Sequence, residues 1–427
     1  MRSSLAAALA TACVSLVATS SMAAASSPTP PAGGDADPAS RAQATEIIES
    51  LSLSDVDCLS DQVCLAAGTH RYTERFEVPG DIDTHVSIKD RPLVVARSPN
   101  GWVEMDFPAI PQGHSESLFT AASAQEISCV PTARKVLLRT TYCVMSGRYE
   151  AYTAYANDVF EQGPMTAVWN GLRWRLVEKP TPLTLTTVER HDLDCVAAKK
   201  CYSLSRGPVP SYRLATWDGR KWGVRKIPGT SMRRSPSLLS CWATSRCLVV
   251  GYYEIAGQPR NYREFAALLS NRGWSSQPLP GKNNGLSGLA CRGAKRCVAV
   301  GSDISLVGSA SANDWLRVPM HGDTSHFIDV ACPTASKCLA VGHTTADPPV
   351  QAVQRFEGNQ WHDAGPPSPT SGLATGSASV DCTRVWSCFV ASGGYGVPDD
   401  KILLAWNGRD WSYETVSAKP FASPPST

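Results

Sequence analysis

Fourteen of the fifteen cysteines in this 427-residue chain fall into seven pairs, and thiols at regular spacing either close disulfides or hold metal. Six pairs have five residues between them: Cys58 with Cys64, Cys195 with Cys201, Cys241 with Cys247, Cys291 with Cys297, Cys332 with Cys338 and Cys382 with Cys388. The seventh, Cys129 with Cys143, is a stretched copy. Tetrahedral zinc favours C-x2-C spacing, and no histidine accompanies these pairs regularly, so seven local disulfides are expected. Their Cα atoms should fall within the usual range of about 4.4–6.8 Å. A second set is acidic. Asp55, Asp57, Glu126, Asp192, Asp194, Asp329 and Asp381 stand one or three places before a first cysteine. Carboxylates crowded at one opening repel, and Ca2+ would relieve that with the oxygen ligands it prefers. The simpler reading, expected here, is that each caps its own turn through nearby backbone N–H groups. No other cofactor is expected.

A third set lies in the irregular stretches, where eight of the twelve tyrosines fall. Arg71, Tyr72, Arg148, Tyr152, Tyr252, Tyr253, Arg263 and Tyr395 are the candidate ligand contacts, because tyrosine offers apolar area with a polar tip at small entropic cost. The structural alternative is that Tyr149, Tyr152 and Tyr155 merely lengthen a hairpin. Enzyme signatures are sparse: the chain has no G-x-S-x-G, H-E-x-x-H, P-loop or dinucleotide-binding glycine pattern. A glycosidase would need two converging carboxyl groups, for which Glu74, Asp81, Asp83, Glu150, Glu254 and Asp399 are candidates by position alone. His321 and His326, five apart, read as coincidence.

The elements that must carry these residues repeat. Cys241–Gly251, Cys291–Gly301 and Cys332–Gly342 share C-x5-C followed by an apolar run ending in glycine. An apolar side chain stands two before every first cysteine: Val56, Ile127, Leu193, Leu239, Leu289, Val330 and Val380. Downstream of each pair comes a tight turn and a tryptophan, as in Asn170-Gly171 before Trp174 and Asn407-Gly408 before Trp411. Asn-Gly suits the positive φ angles of a hairpin tip. Each unit therefore reads as four strands, A to D, and the turn tryptophans recur 41 to 72 residues apart. That is the period of a propeller blade. The fold expected is all-β: a seven-bladed β-propeller of four-stranded antiparallel blades, each with one internal disulfide. The tryptophans are expected to be packing wedges. Each unit looks complete in itself, so ring closure is not evident unless residues 45–50 supply it.

Residues 1–25 read as a secretory signal, with Arg2, an apolar core from Leu5 to Val17 and Ala23-Ala24-Ala25 as cleavage site. Residues 26–45 read as a Pro/Gly/Ser/Ala-rich linker, 46–419 as the propeller and 420–427 as a tail. Charge is nearly balanced, 40 basic against 38 acidic, which gives no footprint for nucleic acid. No apolar run beyond the N-terminus is long enough for a membrane helix, and a monomer is expected.

The phrases S-C-x5-C-x-A-V-G and W-N-G-x-x-W resemble cysteine-containing propeller repeats of secreted bacterial proteins, over residues 50–416. The turn is similar to the Asp-box of sialidase-like propellers, although their F/Y-R-I-P arginine motif is absent here. In such a blade the A–B and C–D turns share one end of the disc, and the B–C and D–A connections share the other. The first end is regular; the second carries what varies, and ligand contacts are expected there. A secreted binder of an extracellular glycan, cell-wall polymer or protein is expected. The alternative is a sialidase-like glycoside hydrolase or polysaccharide lyase.

Overall fold

The computed structural model describes residues 44–419 apart from 78–83, 111–117, 154–158, 178–191, 207–211, 229–233, 256–257, 259–260, 282–284, 303, 322–324, 347–349, 366–377 and 394–401. The expected signal at 1–25, the expected tail at 420–427 and Tyr395 lie outside the described residues, as does the expected linker except for Ala44 and Thr45. Those two residues belong to the first strand rather than to a linker.

Seven antiparallel sheets follow one another along the chain. Blade 1 comprises β1 (Ala44–Ser60), β2 (Val63–Glu77), β3 (Thr84–Ser98) and β4 (Gly101–Glu104). Blade 2 comprises β5 (Leu118–Pro131), β6 (Thr141–Thr153), β7 (Val159–Trp169) and β8 (Trp174–Leu176). Blade 3 runs from β9 (Leu193–Ala197) through β10 (Lys200–Arg206) and β11 (Tyr212–Trp217) to β12 (Trp222–Lys226). Blade 4 has β13 (Arg234–Ala243), β14 (Arg246–Glu254), β15 (Tyr262–Ser270) and β16 (Gly273–Pro278). Blade 5 is the shortest, with β17 (Gly288–Cys291), β18 (Cys297–Gly301), β19 (Ile304–Gly308) and β20 (Leu316–Pro319). Blade 6 has β21 (Ser325–Thr334), β22 (Lys337–Thr344), β23 (Gln351–Glu357) and β24 (Gln360–Asp363). Blade 7 has β25 (Ala378–Arg384), β26 (Ser387–Ser392), β27 (Leu403–Trp406) and β28 (Trp411–Tyr413).

All seven expected disulfides form, and each stays within one blade. In blades 1 to 4 Cys58 is bonded to Cys64, Cys129 to Cys143, Cys195 to Cys201 and Cys241 to Cys247. In blades 5 to 7 Cys291 is bonded to Cys297, Cys332 to Cys338 and Cys382 to Cys388. The expected Cα separation is corrected downward, since the observed values are 3.9–4.1 Å. The cause is register: paired cysteines sit directly opposite each other on strands A and B, as Cys58 does to Cys64 and Cys129 to Cys143. The strand B partners Cys64, Cys143, Cys201, Cys247, Cys297, Cys338 and Cys388 are all buried, so the bridges also count as core.

Burial is organised between blades. One apolar cluster fills each of the seven blade–blade seams, with residues from both neighbours in every one. The tryptophans are wedges in these seams. Trp217 Nε1 donates across to Tyr142 Oη at 2.6 Å, and Trp361 Nε1 to Ser305 Oγ at 2.7 Å.

The glycine that ends the B-strand phrase in blades 1, 2, 4 and 6 has a role that its own stretch does not disclose. Strand A is bulged opposite it, with register shifts between Leu53 and Asp55, Ala124 and Glu126, Pro236 and Leu238, and Phe327 and Asp329. The bulge brings strand A so close that a Cβ at Gly342 would overlap the His326 carbonyl oxygen.

Ring closure comes from the C-terminus. β29 (Val416–Ser417) pairs in parallel with β4 as a fifth, outer strand of blade 1. Residues 45–50 do not close the ring; they continue strand A of their own blade. Side chains reinforce the seam. Glu104 Oε2 accepts from Lys419 N at 2.6 Å, and Arg91 Nη2 donates to Lys419 O at 2.6 Å. Arg91 Nη1 also pairs with the buried Glu104 at 2.8 Å.

Candidate functional site

Polar side chains come together in the central channel and at the B–C end of the disc. A cavity of about 860 Å3 runs among the A strands, and all seven acids singled out above line it. The turns of their own blades are not their main partners. Asp57 Oδ2 accepts from Cys129 N at 2.7 Å, Asp194 Oδ2 from Cys241 N at 2.6 Å and Asp381 Oδ2 from Cys58 N at 2.7 Å. In each case the residue before one blade's first cysteine holds the N–H of the next blade's first cysteine. Ser128 and Ser240 do the same through Oγ for Cys195 and Cys291, at 2.9 and 3.1 Å.

The position three before the cysteine repeats the device two residues earlier on the strand. Asp55, Asp192 and Asp329 accept from Ile127 N, Leu239 N and Val380 N at 2.8, 2.5 and 2.9 Å. Glu126 instead meets Ser146 Oγ of its own blade at 3.5 Å. The turn-cap expectation is therefore corrected: the six aspartates are latches between blades. Antiparallel pairing satisfies one edge of strand A and leaves N–H groups on the inner edge, and the preceding blade supplies their acceptors.

Burial raises the pKa of these carboxyls. Asp55 rises to about 7, with a further push from Asp329, and Asp194 also to about 7. Asp381 rises to about 6 through burial, and Asp57 goes well above its ordinary value through burial and then the charge of Asp381. Carboxyls that titrate near neutrality are what general acids need. Here, however, each spends an oxygen on strand backbone, so their evident work is structural. Among the described residues no three His, Cys, Asp or Glu side chains are placed to hold one metal ion.

At the B–C end the blades differ in height. Counting from the second cysteine, Gly251 in blade 4 and Gly301 in blade 5 are equivalent. β18 ends at Gly301 and β19 resumes at Ile304, whereas β14 continues to Glu254 and β15 begins at Tyr262. Leu248, Val250 and Ala266 pack against Ala299, Ile304 and Leu306 of blade 5. Alternation puts Tyr252, Glu254, Tyr262 and Glu264 on that same sheet face, with Tyr252 opposite Glu264 and Glu254 opposite Tyr262. Blade 5 is too short to cover them. Tyr252 is 43% exposed, and its ring meets Tyr262 edge-on with centroids 5.4 Å apart. Glu264, nearer the core, is buried.

The other candidate contacts do not converge with this pair. Tyr253 and Arg263 are cross-strand neighbours on the opposite face of blade 4, where Tyr253 packs on the seam with blade 3. Arg71, in blade 1, is held by Asp90 through two bonds of 2.7 Å, and Lys89 lies 5.7 Å over the Tyr72 ring. Arg148, in blade 2, is ion-paired with Glu150. Tyr152 lies in β6, so blade 2 does extend its hairpin as the structural alternative expected; the Tyr149 ring lies over Gly163 of the facing strand. Tyr262, one of the eight tyrosines in the irregular stretches, is not among the expected contacts, and the ring contact with Tyr252 adds it to the site.

The fold and these two regions define a disulfide-stapled seven-bladed β-propeller with an acidic latch ring and an aromatic pair above its lowest blade. No protein-family profile matches the chain, and no curated protein matches it. Among solved structures it is similar to a fucose-specific lectin from Aleuria aurantia, at 13% identity and TM-score 0.42, over 70% of this chain and 97% of the lectin. It is also similar to the RRP9 WD40 repeats, at 12% identity and TM-score 0.42, over 84% of this chain and 94% of that one. A puromycin-hydrolyzing peptidase of Mycobacterium tuberculosis matches at 10% identity and TM-score 0.47, over 85% of this chain and 55% of the peptidase. These likenesses are of fold alone.

Proposed function

We propose that this protein is an extracellular recognition propeller that binds a glycan at the B–C end of blades 4 and 5. The observation that carries the reading is the Tyr252–Tyr262 pair, with Tyr252 exposed and Tyr262 half-buried above a neighbouring blade whose B–C connection is only two residues long. Aromatic rings with polar tips can cover the apolar face of a sugar while their hydroxyls meet its own, and Glu254 on the same face adds an acceptor. The edge-on contact between the two rings restricts their rotamers before binding, so less side-chain freedom is lost on binding. Seven disulfides suit an oxidising compartment outside the cytosol, in keeping with the expected secretory signal.

The test is an array of glycans and cell-wall polymers probed with the oxidised protein, followed by assays for released reducing ends or unsaturated products on every hit. Binding without turnover supports the reading. Turnover would replace it with a hydrolase or lyase, and silence across the array would leave a protein surface as the ligand to seek.

A further inference from the structure

A second cluster of polar rings stands in blade 6, on the far side of the short blade 5 from the tyrosine pair. His326 of β21, His343 of β22 and Gln351 of β23 form one cross-strand row near the B–C end. The two imidazole rings have centroids 5.6 Å apart at an interplanar angle of 44°. Two imidazoles sharing one tetrahedral ion, each with a metal–nitrogen distance of about 2.0–2.1 Å, put their centroids roughly 5 Å apart. The observed spacing is therefore close to that of a ligand pair.

Two further observations fit. Ser302 of blade 5 lies 2.6 Å from His326 Nδ1 through its Oγ. With Ser302 taking the Nδ1 proton, the Nε2 lone pair of this exposed ring is left for a ligand, which is how outer partners orient metal-binding histidines. In the same row, His343 Nδ1 and Gln351 Oε1 are buried and have no hydrogen-bond partner among the described residues.

We infer that His326 and His343 form a two-imidazole site for a divalent transition-metal ion of the zinc, nickel and copper class, with water completing the coordination and Gln351 Oε1 in the same row as an added oxygen donor. The site is independent of the glycan reading and shares no residue with the tyrosine pair.

The experiment is calorimetric titration of Zn2+ into the full-length, oxidised protein carrying no histidine tag, after dialysis against chelator. One binding event per chain is expected, at least tenfold weaker in His343→Ala and in His326→Gln, and unchanged in His321→Ala. Ca2+ should produce no heat at this site, since imidazole is a poor ligand for a hard cation. Because His326 is exposed, His326→Gln tests the site even where His343→Ala perturbs folding. As a second readout, substoichiometric Ni2+ should broaden two histidine ring signals selectively in the NMR spectrum. Absence of Zn2+ binding, or binding unaltered in both variants, overturns the assignment.

Discussion

The latch ring makes stability fall as pH rises, and Asp194 shows it most simply. Its carboxyl is lifted by burial from 3.8 to about 7 and accepts one N–H, that of Cys241. A folded-state pKa above the unfolded one contributes stability that is fully present below about 3.8 and is lost progressively until pH passes about 7. Between pH 5 and 8 the folded carboxyl gives up about two units of that advantage, at most about 3 kcal/mol at ~1.4 kcal/mol per unit. Asp194 is only half-buried and lines the cavity, so about 1–2 kcal/mol is expected in practice. Asp194→Asn keeps an oxygen for Cys241 N–H and removes the charge. Unfolding in guanidinium chloride, with disulfides intact and chelator present, should show the variant gaining about 1–2 kcal/mol on the wild type at pH 8 relative to pH 5. Asp194→Ala should instead lose about 1–3 kcal/mol at both, because the N–H is left without its acceptor. An Asn variant whose difference from the wild type is the same at both pH values would refute the reasoning.

Other expectations follow from the seams and the staples. Glu104→Ala removes one partner of a buried ion pair and the acceptor for Lys419 N, so a loss of about 3 kcal/mol is expected by equilibrium denaturation. Gly342→Ala drives a methyl into the His326 carbonyl across the bulge and should lower the thermal midpoint more than Gly273→Ala, which meets no neighbouring atom but must adopt a φ of +102°. Replacing Cys291 and Cys297 together by Ala should cost about 2 kcal/mol, the chain-entropy value for so short a loop, with the far-UV spectrum unchanged. Melts with Ca2+ and with chelator should coincide, since the channel oxygens already serve strand N–H groups.

What the sequence made legible is what repeats. Cys-x5-Cys, the apolar residue two before it and the Asn-Gly-x-x-Trp turn are local signals, and each led to its disulfide, strand or hairpin. Even the stretched pair is legible, because Cys143 is followed by two apolar residues and, at the same spacing as after Cys247 and Cys338, a glycine. The latches were hidden because their partners are remote: Asp381 holds Cys58 N across 323 positions of sequence, and nothing near Asp381 announces it. The same carboxyl patterns equally well as a turn cap, and only the neighbouring blade decides. Closure was hidden for a different reason. Val416–Ser417 is too short to show a strand period, and its stability rests on Arg91 and Glu104 far upstream. At the candidate site, Tyr252 was legible as an irregular aromatic. Its exposure depends on blade 5 ending early at Gly301, a comparison between two blades that one stretch cannot supply.

The most direct test of the recognition surface is the dissociation constant of the best array ligand for four proteins: wild type, Tyr252→Ala, Tyr262→Ala and Tyr72→Ala. Loss of one well-packed aromatic contact, about 1.4 kcal/mol or more, weakens binding about tenfold. The account predicts at least that loss for Tyr252→Ala and Tyr262→Ala with folding stability nearly unaltered, and unchanged affinity for Tyr72→Ala. Full affinity in both blade 4 variants, or equal loss in all three, would contradict it.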